Sequence, residues 1–186
     1  MAYNEQAEQK ALLAINNAAH ETALKILMNA YGTDILRFCD SLVKNESDAQ
    51  DMLQNVFIQA HKNFSTFKGE SQIRTWLYTI ARNRCLDLIK SRKRMSNYLE
   101  FVDEVPESSG AETEETSDML AAKIIRDCLD KLSNDVKQAM LLRFQSDHSY
   151  EDAAKILQQK PGTIQARVTR ALPTLKRCVE ENGVTL

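Results

Sequence analysis

The stretch from Phe64 to Arg94 constrains the fold more than any other part of this 186-residue chain. A loop that contains aromatic residues and Gly69 leads into a long segment in which apolar residues recur every three or four positions. That spacing is typical of an amphipathic helix with one face in a core. The recurring apolar residues are Ile73, Trp76, Leu77, Ile80, Ala81, Cys85 and Leu88.

The other face of this helix is basic. Arg74, Tyr78 and Arg82 follow one another in steps of four, and more cations follow them at Lys90, Arg92, Lys93 and Arg94. With Phe64 and Phe67 in the preceding loop, this pattern suits a phosphate backbone and unstacked bases. A basic amphipathic helix is more often a plain solvated face, and the segment alone leaves both interpretations open.

The composition favours helices throughout. Glycine (5) and proline (3) are scarce, and alternating β-branched runs are absent. We therefore predict an all-α protein of two small helical domains joined by a flexible acidic linker, with a helix-turn-helix in the second. The sequence has no signal peptide and no apolar run near the length of a membrane span, so we expect a soluble cytoplasmic protein without membrane contact.

Cysteine and histidine spacing argues against a metal site. The four cysteines are far apart with no C-x-x-C pair, and the three histidines are equally scattered. We expect reduced, buried thiols, no metal and no cofactor. No nucleophile–base pair or P-loop is visible either, so we predict no catalytic residues and a protein that is not an enzyme.

The net charge of −2 hides an asymmetry. Residues 100–118 contain eight acidic residues and no basic ones; without those eight, 18 acids face 24 bases, an excess of six positive charges. Pro106 and Gly110 lie in the same segment, which has the composition of a linker. We place the domains at 1–97 and 119–186, with the linker at 98–118.

Three helices precede the basic one. The sequence predicts helices over residues 5–29 and from Thr33 onward, separated at Tyr31-Gly32, and a third helix that begins after an N-cap at Ser47. The third helix has a regular apolar face. Its outward side carries Gln50, Asp51, Gln54, Asn55 and the apolar Ile58, a weak indication of a docking surface.

The C-terminal part begins with two predicted helices, and the second, capped by Ser133, is predicted to bury Val136, Met140 and Phe144. A helix-turn-helix pattern follows. Two short helices, Ser149–Leu157 and Gly162–Leu172, flank a break that ends at Pro161. In the second helix, the side chains predicted to project toward base edges are those of Thr163, Gln165, Ala166, Arg167 and Arg170, with Lys176 and Arg177 placed for phosphates. A pair of helices that merely pack together gives a similar pattern.

Read together, these segments resemble the extracytoplasmic function (ECF) group of the sigma-70 family over nearly the whole chain. The residues that carry the resemblance are Asp48-Ala-Gln-Asp-Met-Leu-Gln-Asn-Val-Phe57, Phe67-Lys-Gly-Glu-Ser71, Thr75-Trp-Leu-Tyr-Thr-Ile-Ala-Arg-Asn83 and Tyr150-Glu-Asp-Ala-Ala154 with the helix-turn-helix after it. The resemblance implies a promoter-specificity factor that binds core RNA polymerase, recognises −35 and −10 elements and promotes DNA melting.

The resemblance also assigns roles to residues. It places Asp48, Gln50, Asp51, Gln54, Asn55 and Ile58 against the polymerase. For the −10 element and melting it implies the loop from Asn63 to Ser71, with Phe64, Phe67 and Lys68, and then Arg74, Trp76, Tyr78, Arg82 and Asn83. It assigns contact with the −35 element to the helix-turn-helix residues Thr163, Gln165, Ala166, Arg167, Arg170, Lys176 and Arg177. Trp76 fits a plain core position equally well.

Two departures from the family pattern bear on regulation. Gln50 and Asn55 stand where the family usually has carboxylates, so polymerase docking should be weaker. This resembles a subgroup that a Ser/Thr kinase activates, and the candidate phosphorylation sites are Thr66, Ser65 and then Ser47. Control by an anti-sigma factor is the alternative.

A separate departure lies in the last helix. Pro173 stands where the family normally has another residue, and it predicts a kink or a change of packing there.

Two other functions remain open from the sequence. One is a helix-turn-helix regulator that binds duplex DNA without the polymerase. The other is a helical adaptor that binds only proteins, for which replacement of Arg167 and Arg170 would change no DNA-dependent assay.

Overall fold

A computed structural model of the chain describes residues 4–99 and 117–184, and these residues form helices and turns without strands. The N-terminal domain comprises α1 (Glu5–Asn16), α2 (His20–Val43), α3 (Glu46–Asn63), a short 3₁₀ turn (Phe64–Thr66) and α4 (Ile73–Leu99). The C-terminal domain comprises α5 (Ser117–Asp130), α6 (Asn134–Met140) continued by a π turn (Leu141–Gln145), α7 (Tyr150–Leu157) and α8 (Pro161–Glu181). The prediction of two helical domains is confirmed. Of the predicted linker 98–118, residues 98–99 belong to α4 and residues 117–118 to α5, and the rest lies outside the described residues.

The N-terminal core forms where α2, α3 and α4 bring their apolar faces together. Its largest fully buried side chains include Leu27, Phe38, Phe64, Ile73 and Leu77. Burial of such residues supplies about 1.5–3 kcal/mol each, the main favourable term for a domain of this size. The core-facing side of α4 is therefore the one that the sequence predicts.

The break between the first two helices is not where the sequence predicts it. α2 runs through Tyr31 and Gly32 without interruption, and the chain instead turns at Asn17–Ala19, where Ala18 has a left-handed φ of 57°. A helical glycine costs only about 1 kcal/mol relative to alanine. Tyr31 is buried, and its hydroxyl donates to Glu8 Oε1 at 3.2 Å. Tertiary packing on both sides of Gly32 thus outweighs the weak local signal.

The cap of α3 also differs by two residues from the prediction. Asn45, not Ser47, is the N-cap, and its Oδ1 accepts a hydrogen bond from the Asp48 backbone N–H at 3.0 Å. Ser47 lies inside the first turn and is exposed. Because Asn and Ser cap helices about equally well, sequence alone does not separate the two positions.

The C-terminal core is smaller and leaves one predicted core residue outside. Leu142, Ile156, Ile164 and Val168 are buried, whereas Phe144, predicted to be buried, is 56% exposed. The π turn that begins at Leu141 shifts the helical register, so Phe144 leaves the apolar face of α6. α8 runs unbroken through Pro173, which is exposed.

Two of the four cysteines form a disulfide, contrary to the expectation of reduced thiols. Cys128 of α5 is bonded to Cys178 of α8, with a Cα–Cα distance of 5.9 Å that suits a disulfide. Cys39 and Cys85 are free and buried. A hydrogen bond with Cys85 and burial both raise the pKa of the Cys39 thiol. The pairing depends on helices fifty residues apart, which sequence spacing does not reveal.

The two domains pack against each other along α4. The Tyr78 ring meets the His148 ring, with centroids 4.5 Å apart, and Arg82 Nε donates to Gln138 Oε1 at 2.7 Å. An ion pair joins Lys44 to Asp130 at 2.8 Å. The C-terminal domain therefore covers the face of α4 beside its core-facing side, and Tyr78 contacts both His148 and Phe38 of the N-terminal core.

Candidate nucleic-acid interface

The predicted polymerase-binding residues lie along one side of α3. Five of them are exposed: Gln50, Asp51, Gln54, Asn55 and Ile58. Asp48 is different, because both its carboxylate oxygens accept hydrogen bonds from the guanidinium of Arg92 on α4, and only 14% of its side chain is exposed. Asn55 donates to the carbonyl of Asp51 at 2.9 Å. Of the two aspartates on this side of α3, Asp51 is therefore the one whose carboxylate is exposed.

Four of the ten predicted −10 residues, Asn63, Phe67, Trp76 and Asn83, line a cavity between the end of α3 and α4. The cavity measures about 230 Å³ and is lined by Gln59, Asn63, Thr66, Phe67, Trp76, Ile80, Asn83 and Arg84. The Phe67 and Trp76 rings lie 5.0 Å apart at 47° and form its aromatic wall. Since this volume falls below the usual range of drug-sized pockets, it suits one small planar group.

Local structure explains how the loop residues reach this cavity. The 3₁₀ turn after α3 buries Phe64 and is stabilised by the Thr66 hydroxyl, which donates to the Asn63 carbonyl at 3.0 Å. Gly69 has a φ of +70°, which favours glycine, and it turns the chain back toward α4. Lys68 is exposed and Ser71 is half-buried, and neither lines the cavity.

Sequence reasoning missed three residues of the cavity wall, Gln59, Ile80 and Arg84. Ile80 and Arg84 follow Trp76 in steps of four, which puts them on the same face of the helix. Gln59 precedes Asn63 by four residues and accepts a hydrogen bond from its amide at 2.7 Å. Helical spacing from the predicted residues therefore points to all three.

Arg74 and Tyr78 are buried, although the sequence places them on an outward surface. Tyr78 is fully enclosed and Arg74 is 4% exposed, because the segment before α7 packs over them. Burial raises the pKa of Tyr78 to about 12. The Ser146 hydroxyl lies nearby and opposes part of this rise, although it is not in hydrogen-bonding geometry with the Tyr78 hydroxyl. Burial also lowers the pKa of Arg82, which remains half-buried. In this closed arrangement Arg74 and Tyr78 do not face solvent, whereas Arg82 is partly exposed.

The second helix of the helix-turn-helix presents the predicted face. Ile164, Val168 and Ala171 point inward, while the exposed residues are Thr163, Gln165, Ala166, Arg170, Lys176 and Arg177. Gln165, Ala166 and Arg170 line a shallow depression. Thr169, which the sequence prediction omitted, lines it as well. Pro161 at the first helical position and Ser149, whose hydroxyl caps α7, fix the two helices.

Arg167 is held by its own domain. Its guanidinium donates to Gln159 Oε1 at 2.5 Å and pairs with Asp135 at 3.3 Å. It is half-buried, unlike its exposed neighbours on α8. In this arrangement Arg167 orients the turn against α8, and it reaches DNA only if these bonds break.

None of the helices in the described parts of the chain has the length and hydrophobicity that a bilayer span needs. Charged side chains interrupt the apolar faces throughout.

Comparison with known proteins adds two family matches. Residues 27–95 match Sigma-70 region 2, and residues 122–175 match Sigma-70, region 4. The ECF RNA polymerase sigma factor EcfG of Rhodopseudomonas palustris is 33% identical over 152 residues, 78% of this chain and 79% of the relative. The ECF RNA polymerase sigma-E factor of Haemophilus influenzae is 27% identical over 185 residues, 95% and 97% of the two chains.

A solved structure agrees in fold and order of domains. The sigma factor RpoE of Bartonella quintana, in complex with the anti-sigma factor NepR, matches with a TM-score of 0.71 and 27% identity over 84% of this chain and 96% of that one. Region 2 followed by region 4 defines a promoter-specificity factor of the sigma-70 type, a non-enzymatic class of initiation factor. The chain belongs to the extracytoplasmic function group of that family.

Replacement of Phe67 by alanine should open the aromatic wall of the cavity. Because Trp76 is the single tryptophan of the chain, its fluorescence reports on this wall alone. We expect a red-shifted emission, stronger acrylamide quenching and a loss of about 0.5–1.5 kcal/mol from the ring pair beyond its buried area. Phe144→Ala, which removes an exposed ring elsewhere, is the control. Equal quenching in both variants would contradict the described wall.

Proposed function

We propose that the chain binds core RNA polymerase through α3, receives an unpaired −10 base in the cavity beside Trp76 and reads the −35 element with the N-terminal half of α8. We assign the first two tasks to residues 1–97 and the third to residues 119–186, with 98–118 as the tether. The observation that carries the proposal is the cavity, where residues predicted separately for base capture come together around two aromatic rings.

The energetics of the cavity fit this task. Unstacking a base costs a few kcal/mol, and stacking on an aromatic side chain returns about 1–3 kcal/mol. Polar groups at the rim, such as Asn63 and Asn83, offer donors and acceptors for a base edge. Lys68 and the basic end of α4 supply charge for the strand backbone.

The α8 surface fits duplex DNA. An α-helix enters the major groove, and glutamine and arginine side chains bind base edges there. Gln165 and Arg170 are exposed in the half of α8 that would enter, and Lys176 and Arg177 lie further along for phosphates. Two such modules on one tether bind more tightly than either alone.

The test is in vitro transcription with core RNA polymerase on a library of −35 sequences. Gln165→Ala should relax the preference at one base position by about 1–3 kcal/mol, because a base-edge contact is lost. Lys176→Ala is the matched control: it should weaken all sequences equally and reduce the salt slope by about one. Unchanged preference in both variants would contradict the −35 assignment. Tight, sequence-specific duplex binding that is the same with and without polymerase would favour an independent regulator instead.

A second part of the proposal concerns control. The polymerase-facing side of α3 has amides at Gln50 and Asn55 and an Asp48 that is paired with Arg92, which leaves Asp51 as its exposed carboxylate for a basic partner. A phosphate would add about −1.5 to −2 charges. Thr66, Ser65 and Ser47 are all exposed, and Ser47 lies in the first turn of α3, where the helix dipole favours an anion. Thr66 lines the base cavity instead.

Aspartate substitutions test this Ser/Thr kinase hypothesis. Ser47→Asp or Thr66→Asp should tighten binding to core polymerase by about tenfold if one close charge pair of about 1.4 kcal/mol forms. Thr174→Asp, at an exposed position in the C-terminal domain, is the control. Equal affinities in all variants would exclude the charge argument. The proposal would then rest on an anti-sigma factor, a partner supported by the complex of the related Bartonella protein with NepR. Either mode of control would operate in the cytoplasm, where polymerase and promoters lie.

A further inference from the structure

The junction between the two domains buries a cluster of polar side chains. Arg74, Thr75 and Tyr78 come from α4, and Ser146 and His148 come from the segment before α7; none is more than 4% exposed. The hydroxyls of Thr75, Tyr78 and Ser146 and both ring nitrogens of His148 have no hydrogen-bond partner in the described protein. Water would satisfy these groups if the domains separated. The closed junction therefore carries a free-energy cost from these unsatisfied polar groups, and separation of the domains would remove that cost.

His148 lies at the centre of this cluster. Its ring stands edge-on to Tyr78 with centroids 4.5 Å apart, and its backbone N–H donates to the Leu142 carbonyl at 2.9 Å. Burial, followed by the charge of Arg74, lowers the pKa of His148 to about 3, and Asp152 and Asp147 oppose this shift only in part. The closed junction thus stabilises the neutral imidazole of His148 relative to the imidazolium.

We propose that His148 is an acid-sensitive latch: its neutral ring lets the C-terminal domain close over α4, and protonation of the ring releases that domain. Release would uncover Arg74 and Tyr78 and free Arg82 from Gln138, all on the face assigned above to single-stranded DNA. The latch concerns the free chain and does not depend on the proposed base cavity or −35 contacts.

The direction of the pH effect follows from the two states. In the open state the imidazole regains an ordinary pKa near 6.5, whereas the closed state keeps it neutral. Closure is therefore fully favoured above pH 6.5 and weakens as the pH falls below it. For one such group the ratio of open to closed chains rises about tenfold between pH 7.5 and pH 5.5.

The other groups around the junction do not reproduce this effect. Tyr78, with its pKa raised to about 12, stays neutral in this range. The raised pKa of Cys39 keeps that thiol protonated, and Asp34 of α2 also faces Tyr78. Glu8 of α1 accepts from the Arg74 backbone N–H at 3.0 Å. Asp130 is partly desolvated, but Lys137 and Lys44 hold its pKa below the usual range, so the Lys44–Asp130 ion pair persists at pH 5.5.

The experiment is small-angle X-ray scattering of the full chain at pH 7.5, 6.5 and 5.5, with far-UV circular dichroism to show that the helices persist. The radius of gyration of the wild-type protein should increase as the pH falls, because the open-to-closed ratio rises about tenfold. His148→Gln and His148→Leu should each remove the pH dependence. His61→Gln is the matched control, since His61 is exposed and its ring meets those of His20 and Phe64 in the N-terminal domain.

A second measurement follows the His148 ring by NMR in the same samples. The titration of the ring should coincide with the expansion. A scattering profile that stays constant from pH 7.5 to 5.5 would overturn the latch. So would an expansion retained in both His148 variants, or a His148 ring that titrates near 6.5 while the chain stays compact.

Discussion

The structure depends on the burial of α4 from two sides. Ile73, Leu77 and Ala81 are fully buried in the N-terminal core, and the adjacent face is covered by the C-terminal domain, whose His148 meets Tyr78. The first contact is apolar and continuous, as expected of a permanent core. The second contains unsatisfied polar groups and peripheral ion pairs, as expected of an interface that forms and separates. One helix therefore serves as a fixed scaffold on one side and as a reversible contact on the other.

In the closed chain, the C-terminal domain occupies a face of α4 that another ligand could use. The side chains that we propose for single-stranded DNA, Arg74, Tyr78 and Arg82, are also buried or bonded at the junction with the C-terminal domain. A side chain cannot stack on a base and on His148 at the same time. The proposed DNA binding at α4 would therefore compete with closure of the domains, and any ligand that prefers the open form would shift the balance. The cavity at Phe67 and Trp76 lies outside the junction and remains open to solvent in the closed chain.

Much of the fold and part of the site follow from sequence. Apolar spacing of three and four residues predicts α4 and the inward face of α8, because that spacing reports burial directly. The same spacing leads from Trp76 to the cavity residues Ile80 and Arg84. What sequence could not supply are contacts between distant segments. The Arg82–Gln138 bond joins residues 56 positions apart, and the Asp48–Arg92 pair joins residues 44 apart. Local signals also failed where packing overrode them, at Gly32, or where a π turn shifted the register, at Phe144.

If DNA and the C-terminal domain compete for α4 as proposed, the chain must open when it joins the transcription machinery, and a distance between the domains tests this most directly. Donor and acceptor dyes on cysteines introduced at Leu13 in α1 and Glu151 in α7, both exposed, would report that distance, since the native cysteines are buried or disulfide-bonded. Energy transfer should be high in the free chain and fall when core polymerase and promoter DNA are added. Transfer that remains unchanged in a complex that transcribes would contradict the account.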